Sequence, residues 1–180
     1  AISIPVNIPG VTGNKLKLDG PTLGGIFDGT ISTWNDKSIA ALNKGAKLPA
    51  SPITVCVRSD ASGTSGNFSN FLAKVSPNFK SKVSSGGQNQ TPAWTAPSIQ
   101  ASAGNAGVAN CVSSNTNAIG YVDLSDAKDA NLSLALIKNK AGKFVAPTLD
   151  GAAAAAAGTT VKDNLTFSTI WAEGDTSYPI

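Results

Sequence analysis

The sequence predicts an α/β layered domain, and two kinds of stretch carry that expectation. Apolar, β-branched segments at Ile2 to Ile8, Ile53 to Val57 and Ala118 to Val122 have strand composition. Between them lie segments whose apolar residues recur at helical spacing behind capping residues. Strands and helices that alternate along a chain stack as layers around one core. With 180 residues the chain is long enough to bury a sizeable one.

Taken in order, Ile2 to Ile8 reads as one strand with a tolerated Pro5, ended by Pro9-Gly10. Leu16 to Phe27 begins extended and turns helical, with Asp19 near the start, Pro21 in the first turn and Asp28-Gly29 after the end. Trp34 to Leu42 predicts a short helix capped by Asn35 or Asp36, and Asn43 to Ser51 is a loop into the Ile53 strand. The helix after Ser62 sets Phe68, Phe71, Leu72 and Val75 on one face, which reads as core packing. Lys80 to Ala103 is rich in Ser, Gly, Gln, Asn and Pro and is expected to be irregular, with Trp94 a packed anchor in preference to a ligand contact. Asn105 can cap a helix through Ser113 with Val108, Cys111 and Val112 inward. A strand at Ala118 to Val122, a short helix at Leu124 to Ala130, a strand at Leu132 to Lys138 and a turn at Gly142 before Phe144-Val145 come next. Thr148 caps an alanine-rich helix over Ala152 to Ala157, closed by Gly158. The division expected is a domain over 1–159 and a tail over 160–180 that holds Phe167, Ile170, Trp171, Tyr178 and Ile180 with no element after them.

One motif stands out chemically. Arg58-Ser-Asp-Ala-Ser-Gly-Thr64 follows the Ile53 strand and opens a helix, and ligands of α/β folds bind beyond strand ends of this kind. Arg58 is the single arginine; the other thirteen basic residues are lysines. A planar fork of donors suits a tetrahedral oxyanion held by two parallel hydrogen bonds. Ser62 is a good N-cap, Gly63 lets the backbone come close to a ligand, Thr64 adds a hydroxyl, and the first N–H groups of the helix favour an anion. Asp60 would either orient the Arg58 guanidinium or accept a hydrogen bond from an anion that still carries a proton. A plainer alternative is a helix cap at Ser62 beside a surface Arg58–Asp60 pair.

Composition excludes several classes of function. Charged residues are 14% of the chain, the formal net charge is +3, and the lysines are scattered along the sequence, so no nucleic-acid partner is expected. No apolar stretch approaches the roughly 18 residues of a membrane span. Histidine is absent, which removes the usual general base and the commonest metal ligand; no metal or other cofactor is expected. The Gly63-Thr-Ser-Gly66 turn is one residue short of a nucleophile elbow. Ser125-Asp-Ala-Lys128 stands without the accompanying S-D-N and K-T-G triplets, and no Walker loop occurs. The expectation is binding without catalysis. Cys56 and Cys111 permit one disulfide, the alternative being two buried thiols. The chain has no methionine, so its opening Ala-Ile-Ser-Ile is expected to result from processing or cutting.

The runs Leu18-Asp-Gly-Pro-Thr-Leu23, Ile26-Phe-Asp-Gly-Thr-Ile-Ser-Thr-Trp-Asn-Asp36, Arg58-Ser-Asp-Ala-Ser-Gly-Thr64, Gly104-Asn-Ala-Gly-Val108, Ala118-Ile-Gly-Tyr-Val122 and Ser177-Tyr-Pro-Ile180 together give a resemblance through nearly the whole chain. It resembles the phosphate-binding proteins of bacterial phosphate ABC transporters. The resemblance implies a class II periplasmic solute-binding fold, a mixed sheet flanked by helices, that closes on inorganic phosphate in a cleft between two lobes. It implies Arg58, Ser62, Gly63 and Thr64 as phosphate ligands, with Asp60 as the partner of Arg58. Ala61 departs from the glycine frequent in the family. It also implies a periplasmic or cell-surface, extracellular location and a membrane permease as partner. On this resemblance the chain corresponds to the second lobe plus a crossing tail, and the first lobe is missing. Losing about three charge-assisted hydrogen bonds with that lobe would weaken binding by roughly three to six powers of ten. A non-transport surface or interaction role with little ligand affinity is the alternative reading.

Overall fold

A computed structural model describes residues 1–87, 89–164 and 166–180. Gln88, in the segment expected to be irregular, and Leu165, in the tail, lie outside the described residues. The chain runs β1 (Ile2–Ser3), β2 (Pro5–Asn7), β3 (Lys17–Leu18), α1 (Gly20–Phe27), α2 (Lys37–Leu42), β4 (Thr54–Arg58), α3 (Gly63–Val75) and α4 (Pro77–Lys82). It continues through β5 (Ile99–Ser102), α5 (Gly104–Ser114), β6 (Ala118–Ile119), β7 (Val122–Asp123), α6 (Leu124–Asp129), β8 (Ser133–Leu134), β9 (Leu136–Lys138), β10 (Phe144–Val145) and α7 (Leu149–Ala157).

A five-stranded mixed sheet, ordered β5-β4-β6-β2-β8, forms the centre. Strand β4 runs parallel to β5 and β6, with Val55 opposite Ile99 and Ile119, while β2 is antiparallel to β6 and β8. Alternation along β4 sends Val55 and Val57 into one buried cluster with residues of α1, α3 and α4, and Cys56 into a second cluster with α5 and α6. Both faces of the strand are covered, which is why it reads as a continuous apolar run. The Cys56–Cys111 disulfide ties β4 to α5, and the alternative of two free thiols does not hold.

Three of the segments read as single strands divide, while the Ile53 strand stays whole as β4. Ile2 to Ile8 splits at Ile4, Ala118 to Val122 at Gly120-Tyr121, and Leu132 to Lys138 at Ala135. At these points the chain leaves the central sheet, so that β1 pairs with β7 and β9 with β3 and β10. The junctions hold one another, since Ala135 N donates to the Ile4 carbonyl at 2.9 Å and Gly120 N to that of Pro5 at 3.0 Å. Alternation in the sequence survives a change of hydrogen-bonding partner, so it carries no mark of the break.

Helix starts follow their capping residues. Asp19 and Thr22 form a reciprocal capping box at α1, Asp36 caps α2, and Thr148 accepts from Gly151 N at α7. Two elements lie in the stretch expected to be irregular: the last residues of α4, entered through Ser76-Pro77, and the edge strand β5. Trp94 is packed, with ring centroids 5.5 Å from Phe27 and 5.4 Å from Tyr121. In the tail, Tyr178 and Ile180 are buried in the main core, Trp171 packs on Phe71 at 5.9 Å, and Phe167 is exposed.

Candidate anion-binding site

Arg58 ends β4, at the carboxyl end of the parallel strands, and Ser62 caps α3 four residues later. The motif is therefore a strand–turn–helix. Ser62 Oγ accepts from Ser65 N at 3.3 Å, and Ser62 N donates to the Gln90 carbonyl at 3.1 Å. Gly66 N returns to the Ser62 carbonyl at 2.9 Å. Among the described residues the N–H groups of Gly63 and Thr64 have no acceptor, as the first turn of a helix leaves them. A Cβ built at Gly63 would meet nothing within 4 Å, so the start of the helix is uncrowded on that side.

Arg58 is held on several sides. Its Nε donates to Asp60 Oδ1 at 2.8 Å and its Nη2 to Asp60 Oδ2 at 2.5 Å, a side-on bidentate pair. Nη1 donates to Asn105 Oδ1 at 2.9 Å. Among the described residues two of the five guanidinium N–H groups remain unengaged, one on each terminal nitrogen. An oxyanion gripped by two bonds from Arg58 would use those two, because Asp60 occupies the Nε edge. The side chain of Arg58 is 12% exposed, against 44% for Asp60.

Asp60 receives more than the arginine. Gly104 N, at the start of α5, donates to Asp60 Oδ1 at 3.1 Å, and α5 has no side-chain cap of its own. The Arg58 hydrogen bonds first, and that backbone N–H second, hold the Asp60 carboxyl well below the usual carboxylate range. The Arg58 guanidinium is in turn held above its ordinary value, chiefly by the hydrogen bond to Asp60. With three bonds already on its two oxygens, Asp60 fits the role of orienting Arg58 better than that of accepting a ligand proton.

Asn105 was expected as a helix cap, and this is corrected by the structure. The N-cap of α5 is Ala103, and Asn105 lies inside the helix with its side chain turned toward Arg58. Its Nδ2 donates to Asp123 Oδ2 at 2.9 Å, so one amide bridges a guanidinium and a carboxylate. Tyr121 is a second contributor that the sequence motif did not show. Its hydroxyl accepts from Arg58 N at 3.1 Å and lies 2.7 Å from Ser65 Oγ, joining the end of β4 to the start of α3. Its ring stacks on Phe68 at 4.7 Å, and burial pushes its hydroxyl pKa up.

A cleft of about 530 Å³ opens beside the turn, bordered by Thr64, Asn67 and Asn70 of α3, by Asp123 and by Phe167 to Ile170. Of the five motif residues only Thr64 borders it. Arg58 and Asp60 stand outside it, joined to its Asp123 wall through Asn105. Among the described residues no group of acidic or cysteine side chains is arranged to hold a metal ion.

The sequence profile of the PBP superfamily domain matches residues 1–180. The chain belongs to that superfamily. This PBP domain is 44% identical over 177 residues to the phosphate-binding protein PstS of Pasteurella multocida, covering 97% of the chain and 50% of the relative. It is 39% identical over 177 residues to PstS of Xylella fastidiosa, covering 97% and 47%. The PBP domain thus spans about half the length of the curated relatives it matches. Among solved structures, a periplasmic phosphate-binding protein (PfluDING) bound with phosphate superposes with a TM-score of 0.60 at 28% identity, over 88% of this chain and 43% of that one. A human phosphate binding apolipoprotein, at 22% identity, shares the fold with a TM-score of 0.65, over 100% and 54%. The mixed α/β architecture expected from the sequence is that of a periplasmic binding-protein domain.

Proposed function

We propose that the domain binds inorganic phosphate through Arg58, Ser62, Gly63 and Thr64, with Asp60 orienting Arg58. The observation that carries the reading is one strand–turn–helix, in which Arg58, with two N–H groups unengaged among the described residues, ends β4 just before the α3 N-terminus with its open Gly63 and Thr64 N–H groups. Guanidinium donors and a helix N-terminus carried on one strand–turn–helix suit a small tetrahedral dianion. The names of the two curated relatives, both phosphate-binding proteins, support the choice of anion and a binding role in place of an enzymatic one. In this reading residues 1–159 form one lobe of an extracytoplasmic receptor, and 160–180 cross toward a second lobe of the same protein that completes the cleft. The receptor would hand phosphate to the membrane permease of a phosphate ABC transporter. A disulfide between β4 and α5 supports a periplasmic or extracellular location, where thiols are oxidised.

Titration calorimetry near pH 7 with phosphate, and with sulfate as control, tests this. Heat of binding with phosphate that disappears in Arg58→Ala is expected. Phosphate binding unchanged in that variant would remove the site assignment.

A further inference from the structure

Five of the thirteen lysines, scattered in sequence, come together in the fold. Lys15 and Lys47 border a depression of about 490 Å³, and Lys15, Lys17 and Lys44 border an adjoining one of about 310 Å³; the two share Lys15, Asn43 and Ala46. On the neighbouring sheet β3-β9-β10, Lys17 and Lys138 lie with their Nζ atoms 5.5 and 5.9 Å from the centre of the Phe144 ring. Five lysines therefore share one continuous face. The segments that carry them, 9–18, 43–48 and 136–146, contain no aspartate or glutamate. Among the described residues none of the five forms an ion pair. Five of the fourteen basic residues thus lie on one face whose own segments carry no acidic residue.

The face is firmly built. The Asn43 side chain accepts from Lys17 N at 2.8 Å and donates to the carbonyls of Lys17 and Ile39 at 2.8 and 2.9 Å. This fixes the 43–48 loop against β3, and Val11, Leu16 and Leu48 supply apolar wall to the larger depression.

We propose that this face docks an acidic segment of a partner protein, one in which carboxylates flank an apolar side chain. The lysines complement the carboxylates, and the apolar-walled depression takes the side chain between them. A membrane surface fits poorly, because binding to lipid inserts protruding apolar groups and this face is concave. Nucleic acid fits poorly too: the face offers no arginine, and its one aromatic, Phe144, is covered by lysines. The proposal is independent of the phosphate site, which uses none of these residues.

The test is fluorescence anisotropy of a labelled peptide of alternating glutamate and leucine against the full chain, with a polyglutamate peptide, phosphatidylglycerol vesicles and duplex DNA as competitors. Binding that weakens with added salt, falls roughly tenfold or more in Lys15→Glu/Lys47→Glu and is unchanged in Lys80→Glu/Lys82→Glu on α4 is expected. Unaltered circular dichroism and melting temperature would show both variants folded. Equal binding by the Lys15/Lys47 variant, no binding at about 1 mM peptide, or stronger binding to vesicles, DNA or polyglutamate would overturn the proposal.

Discussion

Three of the five N–H donors of Arg58 are engaged before any ligand arrives, two by Asp60 and one by Asn105. Those bonds decide where the remaining two point. Asn105→Ala removes one of them and leaves Asp123 without its amide donor. A hydrogen bond to a charged group is worth about 1.5–3 kcal/mol, and the partial exposure of Arg58 puts the effect at the lower end. Phosphate affinity is expected to fall about tenfold. Because Arg58 is the only arginine, its Nε–H gives a single side-chain signal in nitrogen-15 NMR. That signal is expected to show faster motion in Asn105→Ala, with or without phosphate, while the fold is kept. The partner carboxylate has its own pH signature. Its pKa is lowered on folding, so the stability Asp60 contributes is complete above the unfolded value near ~4 and lost only as pH falls below it. Melting temperatures of the wild type and Asp60→Asn are expected to differ by a constant amount from about pH 5 to 8 and to converge in stronger acid.

At the level of elements, close approach and cross-linking hold the layers together. Gly20 and Gly24, one turn apart on α1, face Val75 and Ser76, and a Cβ at either glycine would collide with the side chain opposite. Ser76 also caps α4, so it has little freedom to retreat. Gly24→Ala is expected to cost about 1–3 kcal/mol through overpacking, read as a lower urea midpoint with unchanged slope. The disulfide between β4 and α5 closes a loop with a sequence separation of 55, for which chain entropy gives about 4 kcal/mol. Cys56→Ser/Cys111→Ser should lower the midpoint accordingly. The same elements show what a sequence carries and what it does not. Caps at Asp19, Asp36, Ser62 and Thr148 act within a few residues of themselves, so Ser62 and Thr148 are readable as caps, Asp36 as one of two candidates, and Asp19 as lying near a helix start. Arg58 and Asp60 were readable as a pair for the same reason. Asn105 was misread because its partner is 47 residues away in sequence, and its own helix start offered a plausible local role. Strand β5 was missed because an edge strand of Ile-Gln-Ala-Ser lacks the apolar pattern that a covered strand needs.

Over the whole molecule, the tail and the first strand join the core that supports the site. Ile2 N donates to the Ile180 carbonyl at 3.3 Å, and Tyr178 N donates to that of Gly151 at 3.0 Å. The buried Asn139 Nδ2 holds the carbonyls of Gly174, Asp175 and Ser177. Tyr178 lies 1% exposed and belongs to the one core cluster that also holds Phe68, Phe71 and Tyr121. Its hydroxyl is buried, with no hydrogen-bond partner among the described residues. Removing the ring should therefore weaken the whole unit, and removing the hydroxyl should not. Tyr178→Ala is expected to lose about 3–5 kcal/mol, with fluorescence and circular dichroism falling at one midpoint. Tyr178→Phe is expected to be neutral or stabilising, because an unpaired buried polar group costs free energy. Burial also raises the phenol pKa far above its ordinary value. The folded form then keeps its proton where the unfolded chain loses one, so this group destabilises the fold as pH rises beyond the unfolded value near ~10. An alkaline melting series should show a steeper decline for the wild type than for Tyr178→Phe. Equal slopes would mean that the Tyr178 hydroxyl reaches water in solution and that the tail is not part of the core.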